Sequence, residues 1–297
     1  MKQFILNQTP DKNGFIQLKE KDFRYLVRVR RLAVGEYFPA LLPDGEEVSV
    51  QVVSIDRNIL VGKCNLFSTS TPPSSSSAPL RLCESYSFNN SSVELPPIIL
   101  FQAMPKGDKM DLIVRQAAEG GITQIVPFAS EFSIKGNISA QKLTRWQKII
   151  KEARQQSGSK IATIIHQHEQ GSIFTFNELL DYWQSLKKVG ALGLLFHHPA
   201  PNLTSSAHKC LNTGLGAGGL EQNSLHGYLI NNPKIAVFCI GPEGGFSQKE
   251  VSLFLENGFK PLTIGDTILR TETAALYCAA AIRILLLEKD SWELKKI

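Results

Sequence analysis

Long apolar runs are missing from this 297-residue chain, and cysteine is sparse. No window approaches the length of a membrane-spanning helix, and the N-terminal MKQFILNQTP has too short an apolar stretch for a secretory signal. The five cysteines, Cys64, Cys83, Cys210, Cys239 and Cys278, lie far apart with no CxxC pair, which argues against a disulfide framework or a zinc site. A reducing, cytoplasmic setting with no membrane partner is the expectation. Strong charge of either sign is also lacking: the net charge of +5 leans mildly toward polyanionic partners and decides nothing alone. Hydrophobic content of 43% and charged content of 20% are those of a globular chain long enough for two domains.

What is present is order along the chain. Residues 1–67 read as short alternating strands (38–42, 48–55 and 59–64) with turn signals such as Pro43-Asp44-Gly45, the spacing of a small antiparallel barrel. Residues 68–96 begin with a Ser-, Thr- and Pro-rich run and read as a linker or insertion. Over 97–297, strands at 98–103, 122–128, 161–165, 191–196 and 235–240 alternate with helices from Asp108, from about Ala140 and over 176–186. That alternation predicts an α/β domain with a parallel sheet. The polar stretch 201–234 contains a literal GxGxxG at Gly214, Gly216 and Gly219. It has no strand before it and no helix after it, so it reads as a surface insertion.

Two segments carry the chemistry: IGPEGGFSQKEV (240–251) and IGDTILRTETAAL (264–276). In the first, Ser247 and Glu250 form a capping-box pattern and Gly258 marks the helix stop. Gly241, Gly244 and Gly245 would let a flat ligand lie against peptide groups, and a sterically tight turn would require the same glycines. Glu243 would repel a phosphate, which points to a neutral or cationic ligand. In the second, a strand ends at Ile264-Gly265 and a helix begins near 271–273. Arg270, Thr271 and Glu272 therefore sit on the C-terminal side of a strand, where open α/β sheets bind ligands. A purely structural pairing of Arg270 with Glu272 stays open.

The basic residues read two ways. Lys106 and Lys109 near a helix start oppose its dipole and suit either a phosphate partner or a solvated turn. Within 135–160, Leu143, Trp146, Ile150 and Ala153 share one helical face, leaving Arg145, Lys148, Lys151 and Arg154 mostly to solvent. Such a face can track an RNA backbone or be an ordinary exposed surface, and Trp146 reads as core. His166-x-His168 has no third ligand in register, so no metal is expected.

With the KGDKM and RWQKI segments, GPEGGFS and LRTETA resemble the SPOUT-superfamily RNA methyltransferases of the RsmE type, closely from residue 98 to the C-terminal helix and loosely over 1–31. The resemblance implies a trefoil-knotted parallel-sheet domain preceded by a PUA-like RNA-binding barrel. It implies methylation of N3 of a uridine in 16S ribosomal RNA of the small subunit, with S-adenosylmethionine as the methyl donor. Cofactor contacts are then expected from Phe196, His197 and His198, from Ile240, Gly241, Glu243, Gly244 and Gly245, and from Ile264, Gly265, Leu269 and Thr271. Glu272 is expected to accept or relay the N3 proton, and Arg270 to stabilise charge on the uracil oxygens. Arg28 and Arg31 match the family's barrel motif, and RNA contacts are expected from them and from Lys106, Lys109, Arg145 and Lys148. A homodimer is also implied, with the C-terminal helix as an interface element.

The chain departs from the family pattern at Gln3, Tyr25, Gln116, Phe132, Gln155, Lys160 and Thr267, mostly by losing charge suited to RNA. The glycine loop and the Arg-Thr-Glu cluster stay whole, so the cofactor is better specified than the target. Another RNA target, such as a ribose 2′-hydroxyl, and a non-catalytic ribosome-associated RNA binder remain alternatives.

Overall fold

Alternation of buried with half-buried or exposed side chains builds strand 15–19 and the first half of strand 47–56 in the N-terminal unit, and near-continuous apolar runs build most strands that follow. The computed structural model describes residues 4–66, 95–134, 136–168, 171–197, 224–263 and 267–288. The chain divides into two compact units, Met1–Glu94 and Leu95–Ile297.

The first unit holds β1 (Phe4–Ile5), β2 (Phe15–Lys19), α1 (Glu20–Phe23) running into a π-helical segment (Arg24–Val29), β3 (Tyr37–Leu41), β4 (Glu47–Asp56) and β5 (Ile59–Leu66). On β4, Val48, Val50 and Val52 are buried, and they pack with Phe38, Leu60, Phe23 and Leu26. The strand order is β1-β3-β4-β5-β2, with β1 and β2 at the two ends. Pairing is antiparallel except that β1 lies parallel to β3. The expectation of a purely antiparallel strand unit is thereby corrected twice, by this parallel pair and by the helical segment. Phe23 and Leu26, three residues apart among arginines, supply that segment's buried side.

The second unit alternates β6 (Ile98–Ala103), α2 (Lys109–Glu119), β7 (Gln124–Phe128), α3 (Ala140–Ser157), β8 (Ile164–Ile165), α4 (Phe176–Lys188), β9 (Ala191–Phe196), α5 (Leu225–Leu229), β10 (Ile235–Ile240), α6 (Gln248–Glu256), β11 (Lys260–Leu262) and α7 (Thr271–Glu288). Its sheet runs β11-β9-β10-β6-β7-β8 with every pairing parallel. One apolar cluster gathers α2, α3 and α7 through Met110, Val114, Trp146, Ile150, Cys278 and Ile282. A second gathers α4 and α6 through Leu179, Trp183 and Phe254, with Phe101 and Phe259. Helices on both faces explain why strands such as IILFQA are buried at every position. The capping boxes at Thr175/Glu178 and Ser247/Glu250 start α4 and α6.

Several expectations are corrected. The strands read at 122–128 and 161–165 are shorter, Gln124–Phe128 and Ile164–Ile165. Arg154, expected in solvent, is 5% exposed. It donates from Nη2 to Lys160 O at 3.2 Å, and burial lowers its pKa. Its position four residues after the buried Ile150 and next to Ala153 puts it at the edge of the packed face. The end of the stretch read as a surface insertion is part of the core: Ser224 caps α5, and Leu229 is 2% exposed. All but the last two residues of the linker read over 68–96, and the Gly214–Gly219 motif, lie outside the described residues. Among the described residues, no helix is long and apolar enough to cross a membrane.

Candidate active site

The C-terminal ends of neighbouring strands open onto one pocket of about 530 Å³. Its wall is formed by Phe196 and His197 at the end of β9, by residues 240–246 at the end of β10, and by residues 267–271 with Ala274 at the start of α7. A volume in the range of small-molecule and cofactor sites follows, placed where parallel sheets bind ligands.

The 241–246 segment is built for close approach. Gly245 has φ +72, a left-handed conformation that favours glycine. A Cβ on Gly244 would lie 3.0 Å from the Cβ of Phe132. Two carboxylates fix the segment. Glu243 accepts the Lys106 backbone N–H at 3.0 Å and the Lys109 ammonium at 2.6 Å. Burial pushes the Glu243 carboxyl up, but the Lys109 and backbone bonds outweigh it and hold the pKa below the ordinary glutamate value. Glu250, 5% exposed, accepts from Glu131 N at 2.9 Å, from Ser130 Oγ at 3.2 Å and from Ser247 N at 2.9 Å.

These contacts change two expectations. Glu243 is neutralised by a cation from α2, so its presence in the loop no longer argues by itself for a cationic ligand. Lys109 lines the pocket and fastens the loop, which makes it a wall residue, not a free phosphate contact.

The second wall carries the reactive types. Arg270 is exposed and lines the pocket. Thr271 is buried and donates its hydroxyl to Gly241 O at 2.7 Å, joining the 240–251 and 264–276 segments. Glu272 lies on the first turn of α7 and is not in the pocket lining. One of its carboxylate oxygens is buried with no hydrogen-bond partner among the described residues. Leu269 is half-buried in the lining, and the His197 N–H donates to Leu262 O at 3.1 Å, tying the β9 loop to β11. His198, Ile264 and Gly265 lie outside the described residues. Pro242, Phe246, Ile268 and Ala274 complete the lining without having been singled out in the sequence.

Of the basic residues, Arg28 and Arg31 are exposed in the first unit, as are Lys106 and Lys148 in the second. Arg145 pairs with Asp111, which also accepts from the indole Nε1 of the buried Trp146 at 2.8 Å. His166 stacks on Tyr182 with ring centroids 4.7 Å apart, and His168 stands 3.8 Å from Glu178. Burial, aided by His168, lowers the His166 pKa. Among the described residues no cluster could hold a metal ion.

Comparison with known proteins gives the arrangement its setting. Residues 93–283 match the family model described as an RNA methyltransferase domain. The chain is 28% identical over 290 residues to ribosomal RNA small subunit methyltransferase E 2 of Borreliella burgdorferi, covering 96% of this chain and 98% of that protein. It is 27% identical over 275 residues to the methyltransferase E of Bacillus subtilis, covering 87% and 95%. In structure it is similar to a ribosomal RNA small subunit methyltransferase E from Neisseria gonorrhoeae bound to S-adenosylmethionine, with a TM-score of 0.64, 25% identity, and coverage of 96% of this chain and 98% of that one. The chain belongs to the RNA methyltransferase domain family, and within it to the small-subunit methyltransferase E type.

Proposed function

We propose that this protein methylates N3 of a uridine in 16S ribosomal RNA of the small subunit, with S-adenosylmethionine as donor. The observation that carries the reading is the pocket itself: three strand-end loops offer backbone to a ligand on one side and Arg270 on the other. The residues present suit this cofactor. The volume is adequate, the close-packed glycine segment exposes peptide groups, and Glu243 offsets the charge of Lys109 in the lining. Phe196, His197, Ile240, Gly241, Gly244, Gly245, Leu269 and Thr271 would hold it, with His198, Ile264 and Gly265 completing the loops. Bound there, S-adenosylmethionine supplies an electrophilic methyl carbon.

The chain's own residues supply the rest. Glu272, next to the lining residue Thr271 on the first turn of α7, would accept or relay the N3 proton, and one of its oxygens has no hydrogen-bond partner among the described residues. The Arg270 guanidinium stabilises negative charge on the uracil oxygens as that proton leaves. Holding base and donor in line supplies much of the acceleration. Exposed Arg28 and Arg31 in the first unit, and exposed Lys106, Arg145 and Lys148 in the second, would neutralise phosphates.

The same reading assigns residues 1–67 to a PUA-like RNA-binding domain and 97–297 to a knotted SPOUT domain, acting in the cytoplasm. It further assigns α7 to a homodimer interface. Leu276, Tyr277, Ile284 and Leu287 are 40%, 55%, 51% and 49% exposed along one side of that helix, which supports a covering partner. Calorimetry with S-adenosylmethionine, followed by mass spectrometry of small-subunit RNA nucleosides after incubation, tests the activity. Heat of binding and 3-methyluridine are expected. Binding with a different methylated nucleoside would move the target, and no binding would remove the reading.

A further inference from the structure

β6 is buried along its whole length, and one of its six residues is polar: Gln102, with 0% exposure. The backbone dictates how this amide points. Its Nε2 lies 2.9 Å from Ala103 O, which can only accept, so the donor end must face it. The other N–H of the same nitrogen then reaches Thr271 Oγ1 at 3.1 Å. Having accepted there, the Thr271 hydroxyl directs its own proton to Gly241 O at 2.7 Å. Gln102 lies opposite Ile240 in the β6–β10 register, so the relay runs from mid-sheet to the first residue of the glycine wall. Its other end is the residue between Arg270 and Glu272.

The arrangement is unfavourable for stability taken alone. Gln102 Oε1 is buried with no partner among the described residues, a desolvation cost that an apolar side chain of similar length would not carry. A residue that weakens its own surroundings yet orients two lining residues is explained by the site it orients.

We propose that Gln102 is a positioning residue: through Thr271 it locks the glycine wall and the Arg270–Glu272 cluster into one geometry. This rests on the reading of the pocket as an S-adenosylmethionine site. The relay accounts for a hydroxyl side chain at 271, since a residue there must accept from Gln102 and donate to Gly241 at once.

The test uses the full chain and two variants, Gln102→Met and Thr271→Val. In Gln102→Met the thermal midpoint should stay within about 3 °C of the parent or rise, while the dissociation constant for S-adenosylmethionine increases roughly 3- to 10-fold, the range one hydrogen bond spans. Thr271→Val should show the same weakening, and the double variant should be no worse than the worse single one, because both cut one relay. In the free protein, the amide resonances of Gly241, Gly244 and Gly245 should shift or broaden in both variants, which reads the wall without any ligand. A parent that binds S-adenosylmethionine with Gln102→Met binding equally well and unchanged loop resonances overturns the relay alone. A parent that does not bind overturns the cofactor reading, and the loop resonances then decide the relay by themselves. If Gln102→Met fails to fold, additivity cannot be read, and unaltered binding and resonances in Thr271→Val overturn the proposal.

Discussion

The two walls of the pocket are held in different ways. The 241–246 wall is fastened by carboxylates within it and just after it, Glu243 to Lys106 and Lys109 at the start of α2 and Glu250 of α6 to Ser130 and Glu131. The 267–270 wall stands in solvent, with Ile268 71% exposed. Among the described residues it is anchored by the Ala274 N–H, which donates to Arg270 O at 2.8 Å, and by the neighbouring Thr271 hydroxyl. A fixed wall sets where a ligand lies, and a freer one can close over it and bring up the groups that act in the transition state.

The largest effect should come from Glu272, at the start of α7 just after the freer wall, and fall on chemistry. Glu272→Gln is expected to lower single-turnover methylation by about 10²- to 10⁴-fold with cofactor affinity unchanged. Full turnover would place the proton acceptor elsewhere and break the division of labour. The fixed wall should answer in stability instead. Glu250→Ala removes a cap and leaves the Ser130 and Glu131 donors unpaired, at a cost of about 2–4 kcal/mol by urea denaturation. Ile268→Ser on the other wall should move the same measurement by less than about 0.5 kcal/mol. Equal costs would erase the contrast.

Gly245→Ala is smaller and sharper. No neighbour lies within 4 Å of the added Cβ, so the cost of about 1 kcal/mol is left-handed strain alone. The smallest effect is the dependence on pH. The folded pKa of Glu243 lies below its ordinary 4.5, so its contribution is present above that value and is lost as pH falls through the folded one. Stability measured from pH 7 to pH 3 should drop less steeply at the acid end in Glu243→Gln than in the parent.

Local signals made much of this legible in the sequence. The Ser247/Glu250 spacing announces the start of α6, and the apolar runs at 191–196 and 235–240 match β9 and β10 residue for residue. What escaped was set by partners distant along the chain. Glu250 reads as a cap, but its bond to Ser130 spans 120 residues. Glu243 reads as a lone charge until Lys109, 134 residues away, is seen to neutralise it. Gln102 did leave a trace, a single amide in an otherwise apolar strand, but the meaning of that amide depends on Thr271. Arg154 and Leu229 of α5 are buried despite their polar or basic surroundings in the sequence, because long side chains bury their stems and a few apolar anchors seat a short helix.

Strand order carries a consequence for how the site opens. The glycine wall leaves β10, which has a neighbour on each side, while α7 is preceded by β11, a three-residue strand at the sheet's edge paired to β9. Edge strands open locally at far lower free energy than central ones. Hydrogen exchange should therefore protect the amides of β10 up to the global unfolding limit and release those of β11 much earlier. Ligand binding would then be reported mainly as slowed exchange at the edge, making β11 the part of the sheet whose local unfolding is coupled to occupancy.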